Sequence, residues 1–174
     1  MTHKIYIIVA ADENLGIGMM GRMPWNLKGE MKHFTEVTTK TNDPIKQNMV
    51  IMGRTTWKSI PEKHRPLKGR KNVVLTREPL PDQPGVRYCT DFDEALSLAD
   101  EKTENIFIMG GASVYRQALE KKIVDGIFLT RINREYDCDA FFPPIPSEFG
   151  EPIDLGGGEE DAVSYTYLFY GRQE

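Results

Sequence analysis

The chain has 174 residues, 40% of them hydrophobic and 28% charged, with a formal net charge of −4. That size and balance suit one folded domain over 1–174 with a core of its own. The absence of any basic block argues against nucleic acid as a partner, and the longest apolar runs are far too short to span a bilayer.

Met1-Thr2-His3-Lys4 leads straight into Ile5-Tyr6-Ile7-Ile8-Val9-Ala10. This is a continuous apolar run, the pattern of a central strand covered on both faces. No secretory h-region with a small-residue cleavage site precedes it. Next comes a glycine-punctuated loop, Gly16-Ile17-Gly18-Met19-Met20-Gly21-Arg22-Met23-Pro24-Trp25-Asn26. A helix is expected from Leu27 to about Lys40, because Leu27, Met31 and Phe34 recur at helical spacing. Glu30 falls on that same stripe. A carboxylate aimed at apolar surroundings carries a desolvation cost unless something pairs with it. At the stripe's margin it would simply reach water, which is the usual fate of a lone Glu.

Further apolar runs follow at Met49–Met52, Asn72–Thr76 and Ile106–Met109, alternating with helical patterns at Thr55–Ile60, Phe92–Glu101 and Ser113–Lys121. Strand–helix alternation predicts an α/β fold, a mostly parallel twisted sheet flanked by helices. The last third changes character. Gly126–Thr130 and Ser164–Tyr170 read as strands with little helix between them, and Gly156–Asp161 reads as a turn or hairpin tip. A C-terminal antiparallel hairpin on the parallel sheet is therefore expected. Cys89 and Cys138 have no metal-ligand or redox spacing, so two free thiols and a cytoplasmic location are expected. His3, His33 and His64 are scattered, form no metal motif, and are expected at the surface.

Two strands end in glycine and feed a helix: Met52-Gly53-Arg54-Thr55-Thr56 and Met109-Gly110-Gly111-Ala112-Ser113. Ligands bind at the carboxyl ends of strands in open α/β sheets, and glycine lets backbone approach a phosphate closely. Tight strand-to-helix turns would explain either glycine site alone; two in one small domain favour a dinucleotide. Neither is a GxGxxG fingerprint. Arg54 and Arg77 follow strand ends, and with Thr55, Thr56 and Thr76 they form a donor set suited to an extra phosphate such as the 2′-phosphate of NADP.

Gly16-Ile17-Gly18, Met23-Pro24-Trp25 and Glu30, then Met52-Gly53-Arg54-Thr55-Thr56-Trp57 with Ser59-Ile60-Pro61, Leu67-Lys68-Gly69-Arg70-Lys71-Asn72, and Gly110-Gly111 with Val114-Tyr115, occur in this order. The ordered set, running from Ile5 to about Phe169, resembles dihydrofolate reductase. The resemblance implies NADPH as cofactor and dihydrofolate as substrate. It implies that Glu30 binds the pterin's 2-amino group and N3, with Trp25 and Thr130 supporting the acid. Ile8, Val9, Met31, Phe34, Ile60 and Met109 match the walls around the pterin and benzoyl groups. Arg70 matches the arginine that grips the α-carboxylate of the glutamate tail, and Arg65 a basic rim position. Ala10, Gly16, Ile17, Gly18, Met19, Met20, Gly21, Arg22 and Met23 match the near part of the cofactor track, whose glycines 16, 18 and 21 would give a covering loop its flexibility. Gly53, Arg54, Thr55, Thr56, Leu75, Thr76 and Arg77 match its middle. Gly110, Gly111, Ala112, Ser113, Val114, Tyr115 and Gln117 match its far part. No metal is implied, and a monomer is the expectation.

Two roles stay open for Glu30: an anion that favours the protonated pterin, or a neutral acid that relays a proton through water. The first is preferred, because a side chain gripping the 2-amino edge cannot also touch N5 across the ring. Two other functions compete: the related reductase of riboflavin biosynthesis, and a non-catalytic nucleotide- or folate-binding protein. Neither calls for a mobile glycine loop, Met-Pro-Trp and Glu30 together.

Overall fold

A computed structural model describes residues 3–78 and 80–174. Met1 and Thr2 of the N-terminal approach lie outside the described residues. The strands in chain order are β1 (Lys4–Ala11), β2 (Gly16–Gly18), β3 (Gln47–Gly53), β4 (Arg70–Leu75), β5 (Val86–Cys89), β6 (Thr103–Ile108), β7 (Gly126–Ile132), β8 (Ala140–Phe141), β9 (Ile153–Glu160) and β10 (Val163–Gly171). The helices are α1 (Lys28–Thr39), α2 (Arg54–Ser59), α3 (Phe92–Ser97) and α4 (Ala112–Glu120), with short 3-10 turns at Glu62–His64 and Ser147–Phe149.

Among the described residues, eight strands form one sheet in the order β5-β4-β3-β6-β1-β7-β10-β9. Pairings from β5 to β7 are parallel, and β10 pairs antiparallel with both β7 and β9. The expected architecture is thus the observed one: mostly parallel, helix-flanked, with a C-terminal hairpin.

The uniform apolar runs split by strand pleat into two cores. Ile7 and Val9 of β1, Ile108, Ile127 and Leu129 pack under α4 through Val114, Ala118 and Leu119. Ile8, Val50, Met52, Val74 and Phe107 face the other way, against Phe34 and Val37 of α1 and Trp57 of α2.

Three expectations differ in detail. α3 stops at Ser97 rather than Glu101. It is started by Asp91, whose carboxylate accepts from the Glu94 amide at 2.7 Å. Gly156–Gly158 lie inside β9 rather than at the hairpin tip, which is Asp161-Ala162, both at positive φ. The glycines are needed within the strand, because a Cβ on Gly158 would meet the Tyr165 hydroxyl at 2.8 Å and one on Gly157 would strike the Tyr165 carbonyl. His33 is half-buried and stacks on Tyr167, ring centroids 3.6 Å apart.

Candidate active site

The sheet order explains why the two glycine turns matter together. β3 and β6 are neighbours, so Gly53 and Gly110-Gly111 lie side by side at their carboxyl ends. The Gly53 amide donates to the Gly110 carbonyl at 2.8 Å. Gly110 has φ +122°, and a Cβ there would crowd the Thr56 hydroxyl at 3.2 Å. A residue other than glycine would close this surface. The Gly110–Gly111 peptide is cis.

From these turns a cleft of about 1090 Å³ runs across the ends of β1, β3, β4 and β6, reaching Ala10, Gly53, Leu75 and Met109. That volume sits at the upper end of ligand pockets and suits two adjoining ligands. α1 forms one wall with Glu30, Met31 and Phe34, joined by Ile8, Val9, Ile60 and Thr130. Gly110, Gly111, Ala112, Ser113, Val114, Tyr115 and Gln117 line the α4 end, and Thr55, Thr56, Thr76, Arg54 and Arg77 the α2–β4 end. Ile17, Gly18, Gly21, Arg22 and Met23 cover it from the loop after β1.

Five residues of the expected set do not line the cleft. Gly16, Met19 and Met20 belong to the covering loop but face elsewhere, and Trp25 is buried among Leu27, Ile132, Val163 and Tyr165 beside it. Arg65 lies folded back, 5.3 Å over the Trp57 ring, with its guanidinium 3.6 Å from Glu62. Lining residues without a sequence signal include His33, Thr35, Lys63, His64, Lys68 and Asp91. Polar side chains at a cleft mouth look, in one sequence, like any solvated surface.

Glu30 is 6% exposed, and its Oε2 is buried without a hydrogen-bond partner among the described residues. Burial pushes its carboxyl up to about 7. Asp91 also lines the cleft, which makes Glu30 one of two carboxylates there; Asp91 is exposed and occupied in capping α3. The Trp25 indole Nε1 is likewise buried and unpartnered. Thr130 is 5% exposed and makes no direct hydrogen bond to Glu30 in this arrangement. Tyr115, also buried, donates its hydroxyl to the Ile8 carbonyl at 2.8 Å. Burial, and then the neighbouring Glu30 charge, hold that phenol far above its ordinary range.

At the opposite mouth, Arg70 donates to the Thr38 hydroxyl at 3.0 Å and to the Lys68 carbonyl at 2.9 Å. Burial pulls its pKa down from the usual arginine value. Arg54 pairs with Glu78 at 2.8 Å, while its buried Nε has no partner among the described residues.

The covering loop is less free than its glycines suggest. Gly16 and Gly18 are strand residues, paired with Phe141 and Ala140 of β8. Gly16 is required because the Cys138 side chain fills the place of a Cβ. Only the tip, Met20 at φ +51° and Gly21 at φ +79°, turns tightly, between reciprocal Met19–Arg22 hydrogen bonds.

The family model described as dihydrofolate reductase matches residues 4–172. The chain belongs to the dihydrofolate reductase family. It is therefore an oxidoreductase, and the competing riboflavin-pathway and binding-only readings fall away. It is 41% identical over 175 residues to dihydrofolate reductase of Drosophila melanogaster, covering 94% of this chain and 95% of that one. Against the dihydrofolate reductase of Bos taurus it is 40% identical, covering 99% of each. A bifunctional dihydrofolate reductase-thymidylate synthase of Daucus carota is 42% identical over 95% of this chain, which spans 33% of that protein. No helix among the described residues is long and apolar enough to cross a membrane.

Proposed function

We propose that the cleft carries out NADPH-dependent reduction of 7,8-dihydrofolate to tetrahydrofolate, with hydride delivered to pterin C6 and a proton to N5. The observation that carries this reading is Glu30: a buried, unpartnered carboxylate at the wall of an apolar cleft whose other end is a double-glycine cradle with two arginines. The cradle and donor set suit the cofactor: Gly53, Gly110 and Gly111 leave room for close backbone approach, and Arg54 Nε awaits an acceptor. When bound, NADPH supplies the hydride.

The chain's own residues then orient and desolvate. Ile8, Val9, Phe34, Ile60 and Met109 hold a flat heterocycle against the cofactor's ring and keep water out. As an anion, Glu30 accepts from the pterin's 2-amino group and N3–H and favours the protonated ring. Trp25, with its unpartnered indole N–H beside that pocket, and Thr130 position solvent near the acid. Solvent delivers the N5 proton, since Glu30 cannot span the ring. Arg70, held by Thr38 and Lys68, takes the substrate's α-carboxylate. The same reading makes the chain a cytoplasmic monomer serving one-carbon metabolism and nucleotide synthesis.

The test is oxidation of NADPH followed by absorbance with dihydrofolate, with a pyrimidine substrate, or with neither. Turnover with dihydrofolate alone is expected; turnover only with the pyrimidine, or with nothing, refutes the reading. Arg54→Ala should lower kcat/KM for NADPH by about 10- to 100-fold, the worth of one charge-assisted contact, and leave NADH little changed. An equal loss with both cofactors would remove Arg54 from the 2′-phosphate site.

A further inference from the structure

We infer that the β9–β10 hairpin is a clamp on the first turn of α1, with Glu160 as the positioning residue that sets where Glu30 sits. The inference rests on the reading of Glu30 as the acid of the site.

A helix leaves its first four N–H groups without intrahelical partners. α1 has no side-chain cap of its own, because its N-cap residue is Leu27. The missing acceptor comes from the far end of the chain. Glu160 takes the Lys28 amide on Oε2 at 2.9 Å and the Gly29 amide on Oε1 at 3.1 Å, so one carboxylate holds two successive N–H groups. Its negative charge also suits the positive end of the helix dipole, and the two amides hold its own pKa below the ordinary carboxylate range.

The same hairpin reaches this turn in three other ways. Tyr167 donates its hydroxyl to the Gly29 carbonyl at 3.2 Å. The Tyr165 hydroxyl occupies the space a Cβ on Gly29 would need. The Tyr167 ring stacks on His33 one turn further along. The clamped residues 28, 29 and 33 therefore straddle Glu30.

Glu30 is poorly fixed by polar contacts of its own, since its Oε2 has no hydrogen-bond partner among the described residues. Its depth in the cleft follows from the backbone it stands on, and that backbone is held by the hairpin. β10 adds a second tie: Tyr167 lies opposite Thr130, which lies opposite Ala10, a row across the sheet at the level of the cleft. The Glu30 charge adds to the rise in pKa of the Tyr115 and Tyr167 phenols, which stay neutral beside it. His33 lies one turn along its own helix, and the Lys28 charge acts on Glu160, lowering its pKa. None of these supplies Glu30 with a strong counter-charge, which leaves burial as the cause of its raised pKa.

The test compares Glu160→Ala and Glu160→Gln with the parent protein by thermal melting, steady-state kinetics and the pH profile of kcat/KM. Loosening the first turn admits water to Glu30. In Glu160→Ala the profile's midpoint should move from near 7 towards the ordinary carboxylate range, and kcat should fall by about 10- to 100-fold in protein that is still folded, the usual consequence of misplacing a reacting group by an ångström or less. Glu160→Gln keeps one acceptor oxygen and should fall between. An unmoved profile in folded Glu160→Ala, or a loss of rate matching only the unfolded fraction, overturns the clamp. Glu30→Gln assayed alongside separates the two ideas: if it abolishes turnover while Glu160→Ala does nothing, the clamp fails and the acid stands. If Glu30→Gln itself is fully active, the reading of the site fails.

Discussion

Glu30→Gln should lose activity and gain stability at once. Turnover with dihydrofolate is expected to drop by about 10²-fold or more at neutral pH, the range seen when such a group is removed. Stability should move the other way. Burial raises the Glu30 carboxyl from 4.5 to about 7, so the folded chain holds that proton more tightly than the unfolded chain does. Between those two values the folded state binds more protons, and stability falls as pH rises. The full difference amounts to about 3 kcal/mol once the acid is ionised in both states. Glutamine has no charge to desolvate, although its amide shares the same poorly partnered site and gives back part of the gain. The variant should exceed the parent by about 2 kcal/mol near pH 8, and match it near pH 5. Urea unfolding at the two pH values reads this directly. A Glu30→Gln protein that is no more stable than the parent at high pH would mean the acid is well solvated, and the desolvation argument would fail.

Asp12→Ala should be the most damaging change outside the cleft itself. Asp12 is 2% exposed and lies just past the end of β1. Its Oδ1 accepts from the Asn14 and Gly16 amides at 2.9 and 2.8 Å, and its Oδ2 from the Tyr136 amide at 2.9 Å. One carboxylate thus joins the root of the covering loop to the segment between β7 and β8. Alanine would leave these amides unpaired, one of them fully buried, at an expected cost of about 3–5 kcal/mol. The loop would also lose its anchor, so kcat in the folded remainder should fall as well. Asp12→Asn retains an acceptor oxygen and should recover roughly half of the stability. Loss of less than about 1 kcal/mol in Asp12→Ala would show that water or backbone rearrangement satisfies those amides.

The sheet was legible because its central strands are buried on both faces and so carry unbroken apolar runs, as at Ile5–Ala10 and Met49–Met52. β5 has no clear sequence signal because Val86-Arg87-Tyr88-Cys89 is short and lies at an edge, with Arg87 exposed. β9 had no side-chain signature: it is exposed along nearly its whole length and is a strand because β10 beside it is one. The pairing of β2 with β8 was equally hidden, since it depends on residues more than a hundred positions apart. The cleft-lining residues at strand ends and on α1 are marked in the sequence by apolar spacing, glycine placement and family resemblance. Arg65 illustrates the limit. Its charge suited the rim, but the neighbouring Trp57 face and Glu62 carboxylate hold it elsewhere, and no one-dimensional pattern encodes that competition.

β9 has a register shift opposite Tyr167 and Leu168, with Gly156 at φ +112°. An exposed edge strand without packed side chains keeps its alignment through main-chain bonds and such irregularities alone. The count of residues from Gly156 to Glu160 therefore works as a ruler whose far mark lands on α1. Adding or removing one residue along this bare stretch would carry Glu160 off its two amides and be felt at Glu30, with every residue of the cleft left as it was.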